Sequence, residues 1–86
     1  MLRLTHHNSN GSQTRVRLDG RLDSETLPAL HALVRELGPG PLTLDLAGLA
    51  SVDAAGLGAL IALRGAGHEL LGGSLYIDRL LKEALP

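Results

Sequence analysis

Apolar and polar positions alternate near the start of the chain, then switch to a spacing of three and four. Leu2 and Leu4 alternate with Arg3 and Thr5, the period of a half-exposed strand. Residues 7–12, HNSNGS, form a polar turn centred on Asn10-Gly11, a strong hairpin signal. Alternation resumes over residues 14–18, with Val16 and Leu18 on one face and Arg15 and Arg17 on the other. The two segments read as an antiparallel hairpin.

A helical stripe follows: Leu27, Leu30, Leu33, Val34 and Leu37. Asp23 or Ser24 is its expected N-cap. Pro28 falls in the first turn, where its missing N–H costs nothing. Gly38 ends the helix, and Pro39-Gly40-Pro41 prevents its continuation.

Residues 42–46, with Leu42, Leu44 and Leu46 on one face, read as the next strand, and a short loop leads to a second helix starting at residues 53–55. Leu57, Leu60, Ile61, Arg64, His68 and Leu71 continue it at spacings of three and four. Gly65 and Gly67 each weaken it by about 1 kcal/mol relative to Ala, so it should bend, fray or end early there. Gly72-Gly73 closes it, residues 74–77 read as a last strand, and a short helix runs from Asp78 or Arg79 to residue 85. The order β-β-α-β-α-β-α implies an α/β fold, a small mixed sheet with two or three helices. Its helical crossovers favour parallel neighbours and right-handed connections. Strand order is not readable from the pattern.

Length and composition narrow the function. Eighty-six residues make a single domain, 1–86. Phe and Trp are absent and Tyr76 is the only aromatic, so the core must be aliphatic. A formal net charge of −1 with interspersed signs argues against a nucleic-acid or anionic-lipid partner. Without Cys there is no disulfide, thiol nucleophile or thiolate metal site. The N-terminus turns polar too soon for a signal peptide, and the apolar run at residues 57–63 is far short of a bilayer span. A soluble cytoplasmic protein without direct membrane insertion is the expectation.

The chemistry concentrates at Asp53-Ala54-Ala55-Gly56-Leu57-Gly58. A helix start carries free N–H groups and partial positive charge, which suit an anion or phosphoryl group. Yet Ala54 and Ala55 offer no hydroxyl. The segment reads either as a recognition turn, where small side chains admit another protein, or as a plain strand-to-helix turn with an Asp cap. A dinucleotide fingerprint is incomplete, because position 61 is Ile where a third Gly would stand. Asp19 and Asp23 frame an acidic patch or serve as turn residue and cap. His6, His7, His31 and His68 lack the spacing of a metal set. No serine has an evident His–Asp partner. No catalytic residue, metal or cofactor is expected.

These residues resemble a family. Asp45-Leu46-Ala47-Gly48-Leu49 followed by residues 52–58 is similar to the signature of the STAS domain, the fold of bacterial anti-sigma factor antagonists. Residues 16–23, VRLDGRLD, resemble its strand ending in L-x-G-x-L-D, and Gly72-Gly73-Ser74-Leu75 resembles its step into a last strand. The resemblance covers residues 13–81 and implies a STAS-like fold, C-terminally shortened. It implies a protein-binding surface at Asp23, Ser24, Asp53, Ala54, Ala55, Gly56 and Leu57. The family's phosphorylated Ser or Thr aligns with Ala54, so the switch is missing; Ser51 aligns with a core-facing position and is not its substitute.

The implied function is non-enzymatic regulation of transcription: binding an anti-sigma factor with a kinase-type ATP-binding domain and so freeing a sigma factor. The alternative is a STAS-type subunit of an ATP-driven (ABC) lipid or solute transport system. A third reading is a small hydrolase using Asp23 and Asp53.

Overall fold

The computed structural model describes residues 1–9, 13–38 and 40–83. Strands β1 (Leu2–Ser9) and β2 (Gln13–Leu22) pair antiparallel over their whole length, as the alternation implies. The Asn10-Gly11 turn between them lies outside the described residues. Helix α1 (Leu27–Glu36) buries Leu30 and half-buries Leu27, Leu33 and Val34, with the C-cap Leu37 half-buried after it. It begins later than expected, with Thr26 rather than Asp23 or Ser24 at the N-cap. The Asp23 carboxylate instead accepts the N–H groups of Glu25 and Thr26, closing a separate turn ahead of the helix.

Strand β3 (Leu42–Val52) runs parallel to β2. Residues 47–52, expected as a loop, extend the strand. Their small side chains hide the alternation, and register shifts between Arg17 and Asp19 and between Gly20 and Arg21 break its period. Through these bulges Leu22 still meets Val52 at the strand ends.

Helix α2 (Ala54–Gly65) starts as expected and stops at the first of the two weakening glycines. Gly67 has a φ of +107°, a left-handed conformation that terminates the turn. The second helix therefore does not continue through His68 to Leu71, nor does Gly72-Gly73 close it. Glu69–Leu71 forms β4, a three-residue strand parallel to β3, in which Leu70 sits opposite Leu44. The expected strand at 74–77 is helical: α3 spans Leu75–Glu83 and buries Ile77 and Leu81, one turn apart. Ser74 Oγ accepts the N–H of Ile77 at 3.2 Å, so the serine marks a helix start and not a strand.

The sheet order is β1-β2-β3-β4. Val16, Leu18, Leu44 and Leu46, on alternate positions of the central strands, share one core with Leu30, Leu60, Ile77 and Leu81 of the helices. All three helices thus cover one face of the four-stranded sheet. Both β2 and β3 deliver their carboxyl ends, and the helices that follow, to the same edge of the molecule.

Candidate functional site

That edge gathers the residues singled out from sequence. Asp53 is the N-cap of α2, in extended conformation, and its Oδ1 accepts the Gly56 N–H at 2.8 Å. Its backbone N–H donates to the Leu22 carbonyl at 3.2 Å, which ties the start of α2 to the end of β2. Oδ2 accepts the Ser24 N–H at 3.3 Å. A single carboxylate thus joins the loop after β2 to the turn after β3, 29 residues apart in the chain.

Gly56 is buried against that junction. A Cβ there would meet the Leu22 carbonyl oxygen and, at 2.7 Å, Cγ2 of Val52. The glycine is required by close approach, since only a bare backbone lets α2 sit on the end of β2. Gly56 therefore shapes the surface from beneath. Ala54 and Ala55 are exposed beside it, and Leu57 is half-buried.

Asp23 stands in the neighbouring turn with Oδ1 3.0 Å from the Glu25 and Thr26 nitrogens. The Thr26 hydroxyl accepts the Asp23 N–H at 2.9 Å and lies 3.0 Å from the Arg21 carbonyl, to which it can donate. The Thr26 backbone N–H is the chief cause that lowers the Asp23 pKa, against a desolvation that raises it. The Thr26 hydroxyl, the Glu25 N–H and the N-terminal ammonium also lower it. Thr26 and Leu22 are the parts of the site that the sequence reading missed. The Thr26 hydroxyl three residues after Asp23 was the available signal; the Leu22 carbonyl left none.

The arrangement presents an exposed, small-residue surface: the methyls of Ala54 and Ala55, the Ser24 hydroxyl, and the carboxylates of Asp23 and Asp53. Both carboxylates are held by backbone N–H groups. Asp53 itself supplies the negative charge that the helix start attracts. Ser51 is half-buried on β3 opposite Arg21, back from this surface.

The histidines do not converge on it. His6 and His7 lie exposed on β1 and His31 lies exposed on α1, while His68 Nδ1 accepts the Leu42 N–H at 2.9 Å. Among the described residues no three His, Asp or Glu side chains gather as a metal site. No helix among them is long and apolar enough to cross a membrane.

The family model described as Mlab, STAS domain matches residues 5–82, nearly the whole chain. No curated protein matches it. The fold and the match agree: this chain belongs to the STAS domain family.

Proposed function

We propose that this domain docks a protein partner through the surface formed by Asp23, Ser24, Asp53, Ala54, Ala55, Gly56 and Leu57, and that it does so without a phosphorylation switch. The observation that carries the reading is the Asp53 carboxylate, which binds Gly56 on one side and Ser24 on the other. It makes one rigid, exposed patch of two loops. STAS domains are generally non-enzymatic, and the carboxylates here suit that role. Each is spent on backbone N–H groups, and the lowered pKa of Asp23 makes it a poor proton carrier.

The partner is an anti-sigma factor of the kinase type, whose capture frees a sigma factor in the cytoplasm. In a switched domain a phosphoryl group would add nearly two negative charges beside Asp23, Glu25 and Asp53 and oppose docking. Ala54 cannot accept one, so binding is constitutive.

A second reading, a subunit on a membrane-transport ATPase, uses the same surface. The absence of a hydroxyl at both Ala54 and Ala55 favours it, because a permanently seated subunit needs no release switch.

Intact mass after incubation with ATP and a family kinase tests the switch. Wild type should gain no phosphate at residues 53–58, and Ala54→Ser should gain one. Stoichiometric modification of wild type at Ser24 or Ser51 would show that the switch lies there instead. An Ala54→Ser protein that folds yet neither binds nor is modified by such a kinase favours the transport-subunit reading.

A further inference from the structure

The sheet face turned away from the helices is open and divided by charge. Alternation from the buried positions places Arg3 of β1 and Arg15, Arg17 and Arg21 of β2 on this face, with Asp19 as the acid among them. Asp45 of β3 and Glu69 of β4 carry the other half. Arg17 pairs with Asp19 at 3.0 Å; Arg3, Arg15, Arg21, Asp45 and Glu69 make no ion pair among the described residues. The β1/β2 half is therefore net positive and the β3/β4 half negative.

We propose that this face binds a second copy of the chain, about a two-fold axis parallel to the strands. The sheet order decides the axis. Rotation about a line along the strands, midway between two facing sheets, reverses the order, so β2 lies over the second copy's β3 and β1 over its β4. Arg17, already beside Asp45 of its own chain across the β2/β3 ladder, then also faces the second copy's Asp45; Arg15 reaches the second copy's Glu69 across its Thr43, and each contact occurs twice. An axis across the strands would instead lay β2 over β2 and set arginine against arginine. Charge complementarity selects the first arrangement and rejects the second.

The buried Thr43 is the uncharged position between Arg15 and Glu69, and Leu71, 37% exposed, adds an apolar side chain on the β4 edge. Four strands about 4.8 Å apart make a small interface, so the dimer is weak and dissociates in salt. One consequence rests on the proposed function. Strands of the two copies run the same way, so both docking surfaces point to one end and can engage a two-fold partner together.

Sedimentation equilibrium of the full chain tests the dimer. Wild type should show a concentration-dependent dimer at about 0.02 M salt that dissociates near 1 M. Arg15→Glu and Glu69→Arg should each raise the dimer Kd about tenfold or more, and the double variant should recover most of it. Both side chains are exposed and make no ion pair among the described residues, so melting curves taken at about 1 M salt, where wild type is monomeric, should not move. A wild type that stays monomeric at low salt overturns the proposal. So do single variants that dimerise like wild type, and a folded double variant that stays monomeric.

Discussion

Gly56 and Gly58 lie two positions apart on one helix, yet a methyl group added to each meets opposite surroundings. At 56 it strikes the Leu22 carbonyl, which the sheet holds in place; at 58 it finds nothing within 4 Å. Gly56→Ala should cost about 1–3 kcal/mol. Gly58→Ala should stabilise by about 0.5–1 kcal/mol by removing glycine from a helix interior. Thermal melts separate them, since 1 kcal/mol shifts Tm by about 4–8 °C in a domain this small.

Asp23 gives a second residue-scale expectation. Its folded carboxyl lies below the ordinary 3.8, so the unfolded chain binds the proton more readily. Its stabilisation is fully present above the unfolded value and is lost as pH falls through the folded one. An NMR titration of the Asp23 side chain should show a midpoint below 3.8. Thr26→Ala should move it upward but not fully, because the backbone N–H of residue 26 remains. A midpoint unchanged by Thr26→Ala would contradict the role given to the hydroxyl.

At the scale of elements, legibility followed the length of each pattern. The hairpin, the α1 stripe and the Asp53 start of α2 were readable because each rests on several residues in one period or on a strong cap. The last part of the chain was not. Arg64, His68 and Leu71 continue a helical spacing by coincidence, while β4 has only three residues, too few to display alternation. The left-handed Gly67 and the Ser74 cap were the local signals that outrank it. Strand order was hidden because it depends on packing across the sheet.

His68 shows what a missed element leaves unexplained. Read on a helix it has no task; placed before β4, its Nδ1 satisfies the Leu42 N–H at the start of β3. His68→Ala should leave that donor without its partner, cost about 1 kcal/mol, and speed amide exchange at Leu42 while leaving Leu18 protected. Unchanged exchange at Leu42 would remove the histidine from this role.

At the scale of the molecule, an aliphatic core from Val16 to Leu81 fixes two parallel strand ends and the helices they feed. Its Cα radius of gyration is 12.0 Å, matching the value of about 12 Å for a close-packed chain of this length. The proposed docking patch is a product of that architecture. Neither loop forms it alone, and Asp53 closes it only because β2 and β3 end together. Site legibility had the same limit: the family turn exposed Asp53 to Leu57 in the sequence, whereas the bridge to Ser24 depends on strand pairing.

The most direct test compares wild type and Ala54→Asp by calorimetric titration against the ATP-binding partner recovered and identified with the wild-type domain. An acidic side chain suits a helix start, so folding and Tm should hold, while the charge at the centre of the patch should weaken binding by about 2 kcal/mol or more, roughly thirtyfold. Equal affinity of the two proteins for that partner would contradict the assignment of the docking surface.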